Sequence, residues 1–159
     1  MPKITTFITF ESGAEQAVEK YVSLFKDSRV GKKTYYQDGS PGGVPEGTVM
    51  TIEFWLEGVK YIAMNGGSHF KLTDALSLSI EVDTQAEVDR YTDALLEGGG
   101  EQGPCGWVRD RWGLWWQVTP KILIELIESS DQRVAKKATD AMLKMNRIDI
   151  GALKRAVGL

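Results

Sequence analysis

The stretch that decides the fold is Phe10-Glu-Ser-Gly-Ala-Glu-Gln-Ala-Val-Glu-Lys-Tyr21, because a similar stretch, Val82-Asp-Thr-Gln-Ala-Glu-Val-Asp-Arg-Tyr91, follows later in the chain. Each begins at the end of a β-type run and then takes on helical periodicity. The order valine, acid, base, tyrosine occurs in both, at residues 18–21 and 88–91. This shared order predicts an internal repeat of one structural unit.

A capping-box pattern predicts where the helix of each unit begins. The pairs are Ser12 with Glu15 and Thr84 with Glu87. In a capping box the hydroxyl accepts a hydrogen bond from a free backbone N–H of the first turn, and the glutamate reaches back to the N–H of the cap residue. We therefore expect one helix to start at each box.

Runs of β-branched and aromatic residues on both sides of these helices predict strands. The tight turn Glu57-Gly58 separates two of them. The predicted strands cover residues 4–10, 30–37, 48–56 and 59–65 in the first unit and 76–82, 101–103, 106–109 and 114–119 in the second, and the predicted helices cover 12–28 and 84–96. This order predicts an α+β fold built from two strand-helix-strand-strand-strand (βαβββ) modules, at about residues 3–66 and 75–120.

The remaining sequence, residues 121–159, has a helical pattern. Pro120 lacks a backbone donor and is expected to end the last strand. Because about 40 residues seldom bury a core alone, we do not expect a second globular domain. We predict one domain over residues 1–126 and a C-terminal helical extension over residues 127–159, packed on the sheet or on a second subunit.

The composition excludes several classes of protein. Of the 159 residues 42% are hydrophobic, and 19 basic against 22 acidic residues give a formal net charge of −3. With no basic field to attract phosphates, nucleic acid is not an expected partner. No apolar run approaches the roughly 20 residues that span a bilayer, so we expect no membrane association and a cytoplasmic location. A single cysteine, Cys105, rules out a disulfide or a cysteine cage for a metal within one chain.

Three motifs resemble those of a known family. They are the Phe10–Tyr21 stretch, Ala63-Met-Asn-Gly-Gly67 and Cys105-Gly-Trp-Val-Arg-Asp-Arg-Trp-Gly-Leu-Trp-Trp-Gln-Val118. From residue 3 to about residue 155 the chain resembles the PhnB-like branch of the vicinal oxygen chelate superfamily, also labelled 3-demethylubiquinone-9 3-methyltransferase-like. Glyoxalase I and the extradiol dioxygenases are distant relatives. The resemblance implies that the two modules curl their sheets into a glyoxalase-like cup for a small organic ligand, usually in a homodimer.

The resemblance also implies where a metal would bind. In metal-dependent members, His, Glu or Gln side chains on the first and last strands of each unit chelate a divalent ion. Those positions match Thr5, Ser77, the strand Lys60–Asn65 and Gln117. Only Gln117 is able to ligate, and one neutral amide does not replace imidazole and carboxylate donors. We therefore predict no metal site and no cofactor, a divalent metal being the less favoured alternative.

Tryptophans concentrate near the end of the second unit, at Trp107, Trp112, Trp115 and Trp116. They can form a stacking wall for a ligand, or they can pack in the core and in a dimer interface. Strand alternation predicts Trp115 and Gln117 on one face and Trp116 on the other. The predicted ligand-binding residues are Thr5, Phe7, Asn65, Ser77, Ser79, Trp107, Trp115 and Gln117.

Four residues are candidate catalytic groups. His69, the only histidine, can exchange a proton near neutral pH or can lie solvated in a loop. Cys105 can act as a nucleophile if a nearby cation stabilises its thiolate, or it can be a small buried thiol. Asp110 and Gln117 can orient a substrate through their polar groups.

Three functions stay open on the sequence. The preferred one is a metal-independent protein that binds a small molecule. The second is an enzyme of the lyase, dioxygenase or transferase type acting on a small oxygenated substrate, and the third is a dimeric interaction protein with a vestigial cup. The glycines do not support a Rossmann-type methyltransferase, because Gly66-Gly67 leads into a loop and Gly98–Gly100 follows a helix, whereas that cofactor site needs a glycine-rich turn between strand and helix.

Overall fold

A computed structural model describes residues 3–41 and 44–159 of the chain. The chain divides into two compact units, the first ending at Leu72 and the second comprising Thr73–Leu159. Each unit contains a four-stranded sheet with the same order of strands and one helix between its first and second strands. The mixed α+β fold with a repeated βαβββ module is therefore confirmed. No helix in the described part of the chain is long and apolar enough to span a membrane.

The first unit forms the sheet β1-β4-β3-β2. Strand β1 is parallel to β4, whereas β3 is antiparallel to both of its neighbours. Its elements are β1 (Thr6–Phe10), α1 (Ala14–Leu24), β2 (Arg29–Tyr35), β3 (Val49–Leu56) and β4 (Val59–Asn65).

Helix α1 covers one face of this sheet. Phe10, Tyr21 and Phe54 are fully buried between helix and sheet, and their ring centroids lie 6.5 Å apart in each successive pair. Aromatic pairs at this separation add roughly 0.5–1.5 kcal/mol beyond the burial of their area. On the opposite face, Phe7 remains 51% exposed. The alternation of β1 therefore separates a core face from an open face.

The start of α1 differs from the prediction. The capping box of Ser12 with Glu15 does not form, because Gly13 adopts a left-handed conformation with φ of 77° and leaves Ser12 exposed at the surface. The backbone N–H of Ala14 instead donates to Asn65 Oδ1 at 2.9 Å, and Asn65 Nδ2 donates to Glu15 Oε2 at 2.9 Å. The first helix is thus capped from the end of β4, a contact between residues far apart in sequence.

The second unit forms the sheet β5-β8-β7-β6, with β5 parallel to β8 and the other pairs antiparallel. The predicted capping box at Thr84 is confirmed, since Glu87 N–H donates to Thr84 Oγ1 at 3.2 Å and Thr84 N–H donates to Glu87 Oε2 at 3.0 Å. Its elements are β5 (Ser77–Val82), α2 (Gln85–Leu96), β6 (Glu101–Gln102), β7 (Trp107–Arg109), β8 (Trp115–Pro120), α3 (Lys121–Ile127), α4 (Gln132–Met142) and α5 (Ile150–Val157).

The C-terminal helices pack in the second unit. Pro120 lies within β8, paired with Val82, and α3 starts at the next residue, so the strand extends one residue beyond its predicted end. Residue 126, the predicted end of the domain, lies within α3, and the division there stays a prediction. The helices share an apolar core made of Leu123, Leu126, Ala138, Ile148 and Leu153.

The segment before α5 attaches the helical tail to α2. Arg147 forms ion pairs with Asp89, at 3.2 Å, and with Asp93. Gln85 Nε2 donates to the carbonyl of Ile148 at 3.0 Å, and its Oε1 accepts from Ile150 N–H at 2.9 Å. Side chains of α2 therefore fix the position of α5.

Candidate functional site

The open face of the second sheet carries most of the predicted ligand-binding residues. Ser77 is paired with Trp115, and Gln117 is paired with both Ser79 and Trp107. Because paired residues on neighbouring strands point to the same face, all five share one side of the sheet. Trp116 is 1% exposed on the other side, as alternation predicts. The sequence pattern thus selects the correct face for these strands.

Trp107 and Trp115 form two adjoining walls on this face. Their ring centroids are 6.1 Å apart and their planes are inclined at 65°. Gly103 lies against both, since an added Cβ there would be 3.1 Å from the Trp115 ring and 3.1 Å from Trp107 Cβ. The absence of a side chain at Gly103 lets the indoles pack this closely against the loop after β6.

A pocket of about 230 Å³ opens beside these two rings and is lined by Asp74, Pro104, Cys105, Trp107 and Trp115. Ligand sites for drug-sized molecules occupy about 300–1,000 Å³, so this one suits a smaller molecule or a single head group. Cys105 is half-buried and is one of the residues that line the pocket. Asp74 and Pro104 were not candidates in the sequence, because nothing in their local pattern distinguishes them from ordinary loop residues.

The loop that carries Cys105 is held by the C-terminal tail. Cys105 has a positive φ of 56°, and its N–H donates to the carbonyl of Met145 at 2.7 Å. The N–H of Gly106 donates to the carbonyl of Asn146 at 2.6 Å. These bonds explain why β7 begins at Trp107 rather than at Gly106 as predicted, because the backbone N–H groups before it are bonded to the tail.

Charge on the open face is unevenly distributed. Arg109 is paired with Glu101 at 2.8 Å. Among the described residues, no hydrogen bond or ion pair involves the Asp74 carboxylate, and the pocket lining contains no basic side chain. The pocket therefore carries one uncompensated negative charge beside two aromatic rings.

Asp110 is 3% exposed and its carboxylate is used within the fold. Oδ1 accepts from the backbone N–H of Trp112 at 2.9 Å and of Leu114 at 3.0 Å. Oδ2 accepts from the indole Nε1–H of Trp116 at 2.9 Å. These contacts join the turn between β7 and β8 to the buried tryptophan, which gives Asp110 a structural role.

The remaining predicted site residues belong to the first unit. Asn65 is buried, where besides capping α1 it donates from Nδ2 to the carbonyl of Val49 at 2.9 Å. Thr5 is half-buried just before β1, and Phe7 is exposed on the open face of that strand. His69 lies exposed in the loop after β4.

The first unit contains a charged aromatic cluster that the sequence did not suggest. The guanidinium carbon of Arg29 lies 3.5 Å from the centroid of the Trp55 ring, and Lys60 Nζ lies 5.5 Å from it. Lys60 Nζ also donates to Glu53 Oε1 at 2.6 Å, which holds the pKa of Glu53 below its ordinary value. The only sequence signal was the spacing of Glu53 and Trp55, which puts both on one face of β3.

The residues at the metal-ligand positions of the superfamily do not fit a divalent ion. Gln117 Nε2 donates to Ser77 Oγ at 2.8 Å, so two of these positions hold neutral groups that bond to each other. Hard divalent cations need several oxygen donors, preferably carboxylates, and softer ones need imidazole or thiolate. In residues 3–41 and 44–159 no group of three or more His, Cys, Asp or Glu side chains is arranged to share a metal ion.

Comparisons with known proteins agree with this fold. The family model described as 3-demethylubiquinone-9 3-methyltransferase matches residues 2–119. A putative 3-demethylubiquinone-9 3-methyltransferase, a PhnB protein from Bacillus cereus, has 32% sequence identity and a TM-score of 0.62, over 75% of this chain and 99% of that chain. The chain belongs to the PhnB-like family. The sequence motifs predict this family.

A further solved structure shares the PhnB-like fold at lower identity. A protein from Pseudomonas aeruginosa has 20% identity and a TM-score of 0.61, over 76% of this chain and 98% of that chain. No match is found among curated proteins. In this PhnB-like chain Gly66-Gly67 follows β4 and leads into a loop, and Gly98–Gly100 connects α2 to β6. Neither cluster has the strand-to-helix position of a Rossmann-type cofactor turn.

Proposed function

We propose that this PhnB-like protein binds a small organic molecule on the open face of its second sheet, against Trp107 and Trp115. The observation that carries the proposal is the pocket of about 230 Å³ beside these two rings. Concave sites with aromatic walls and few polar groups are the usual form of small-molecule sites. The cup formed by both modules and the homodimer stay predictions from the family resemblance.

Binding is favoured over catalysis because the candidate catalytic groups are not assembled at the pocket. The Asp110 carboxylate accepts hydrogen bonds from the turn after β7 and from Trp116. The Gln117 amide bonds to Ser77, and His69 is exposed in the loop after β4 and does not line the pocket. Cys105 alone among these candidates lines the pocket. General acid-base catalysis needs a proton donor or acceptor within hydrogen-bond reach of the substrate.

A fragment screen by ligand-observed NMR tests the proposal. Purified protein, treated with a chelator to remove metals, is screened against neutral, acidic and basic fragments. We expect fragments to bind the wild type and the variant Trp112→Phe, whose altered ring does not line the pocket, but to lose binding with Trp115→Leu. Leucine keeps an apolar side chain on the open face, so this loss reports on the ring itself. Fragments that bind both variants equally, or no binding fragments at all, would refute the proposed site.

A further inference from the structure

The lining of the pocket has an unusual combination of groups. Two indole rings meet at 65°, and the only charged side chain in the lining is the carboxylate of Asp74. An indole presents negative electrostatic potential on its face, and this attracts cations that lie within about 6 Å of the ring centroid. Because the rings pack edge to face with centroids 6.1 Å apart, a single cation in the pocket beside the pair can lie within this distance of both centroids. The carboxylate and the faces of the indole rings therefore both favour positive charge in the pocket.

We propose that the ligand of this pocket is an organic cation that places an alkylammonium head group in the pocket against Trp107 and Trp115, with Asp74 as its counter-ion. This inference rests on the proposed function and specifies the chemical class of its ligand. A quaternary or alkylated ammonium suits the site because its charge is spread over methyl groups, which pack well against indole rings. The modest volume of the pocket, about 230 Å³, fits a head group of this size.

The charges around the pocket disfavour the alternative of an anionic ligand. Arg109, the cross-strand partner of Trp115, forms an ion pair with Glu101 at 2.8 Å and does not line the pocket. Asp74, by contrast, has no cationic partner among the described residues, so a bound carboxylate or phosphate would face a like charge. A neutral apolar ligand is the remaining competitor, because the indoles bind it through surface burial alone. The experiment must therefore separate charge from shape.

Choline and its uncharged isostere 3,3-dimethylbutan-1-ol are suitable probes, because they differ in charge and hardly in shape. Each is titrated into the full-length protein, and the indole N–H resonances of the tryptophans are followed by NMR. The resonances are assigned with the variants Trp107→Phe and Trp115→Phe. We expect choline to shift the resonances of Trp107 and Trp115 and to bind about 5- to 30-fold more tightly than the isostere, the range that cation–π contacts supply.

Variants of Asp74 test the role assigned to the counter-ion. Asp74→Asn should weaken choline binding by about 2- to 5-fold, the range for an exposed ion pair, and leave binding of the isostere unchanged. Glu125→Gln is the matched control, because it removes the same charge from an exposed position on α3 that does not line the pocket. Raising the salt concentration should reduce the preference for choline, since salt screens exposed charges.

The possible results separate this inference from the proposed function. Equal or tighter binding of 3,3-dimethylbutan-1-ol would overturn the inference while the pocket remained a ligand site. Fragments that bind through Trp115 while choline does not would have the same meaning. If neither choline nor any fragment shifted the resonances of Trp107 and Trp115, the proposed function itself would fail together with the inference.

Discussion

Replacing Asp110 by Asn tests whether this buried carboxylate has a structural or a catalytic role. The substitution keeps size and shape, and the amide oxygen can still accept from the backbone N–H groups of Trp112 and Leu114, which Oδ1 accepts in the wild type. The amide NH₂ group then replaces Oδ2, the oxygen that accepts from Trp116 Nε1–H at 2.9 Å. Two donors would therefore face each other in a site that is 3% exposed.

The expected cost follows from the bonds that are lost. A hydrogen bond to a charged group contributes about 1.5–3 kcal/mol, and a buried donor without an acceptor costs about 1–3 kcal/mol. Because the two contributions overlap, we expect Asp110→Asn to lower the free energy of unfolding by about 2–4 kcal/mol. Trp116→Phe removes the indole donor. The double variant should therefore lose about 1–3 kcal/mol less than the sum of the two single losses.

Urea denaturation followed by far-UV circular dichroism measures these differences. Asp149→Asn is the control, because this residue caps α5 from an exposed position and asparagine caps as well as aspartate. The control should stay within about 0.5 kcal/mol of the wild type. The structural role of Asp110 is refuted if Asp110→Asn changes the free energy of unfolding as little as Asp149→Asn does. It is also refuted if the losses of Asp110→Asn and Trp116→Phe simply add. Lost ligand binding at unchanged stability would instead support a role for Asp110 at the site.

Three further predictions concern the helix caps, the loop beside the pocket and the pH dependence of stability. In urea denaturation, Thr84→Ala should lower the free energy of unfolding by about 1 kcal/mol and Ser12→Ala by less than about 0.5 kcal/mol, because of these two residues only Thr84 caps a helix. Equal losses would contradict the assigned caps. Gly106→Ala should lower the free energy of unfolding by at least about 1 kcal/mol more than Gly67→Ala. Both glycines have positive φ, but only at Gly106 would an added Cβ lie 2.8 Å from a backbone carbonyl oxygen, that of residue 118. Similar losses for the two variants would argue against this packing. Burial raises the pKa of Tyr61, so the folded state favours the protonated phenol. The contribution of Tyr61 to the free energy of unfolding should therefore be present below a pH of about 10 and decline above it. Urea denaturation repeated between pH 9 and 11 should show a smaller decline in Tyr61→Phe than in the wild type.

The residues of this chain indicate a function that differs from the methyltransferase name of its family. The family model that matches this chain is named for a methyltransferase. In this chain two of the metal-ligand positions hold Ser77 and Gln117, which bond to each other. The features that favour a ligand are instead aromatic rings and one carboxylate. These residues are the basis of the binding function that we propose for the open face of the second sheet.

The sequence by itself determined the repeat and the faces of the strands. Hydrophobic alternation is a local property, and it correctly separated Trp115 and Gln117 from the buried Trp116. The capping box of Thr84 is also a local pattern and was predictable, because its partner Glu87 is only three residues away. The family motifs also needed nothing beyond the order of residues along the chain.

Only the tertiary structure decided which residues meet across long distances in sequence. Asn65 replaced Ser12 as the cap of α1, because the end of β4 brings its amide to the free N–H of Ala14. Asp74 lines the pocket although it lies more than 30 residues before Cys105 and Trp107 in the chain. No local pattern encodes such contacts, since they depend on how strands pair and how the tail holds the loop. The open face was thus predictable from the sequence, whereas the charge of the pocket was not.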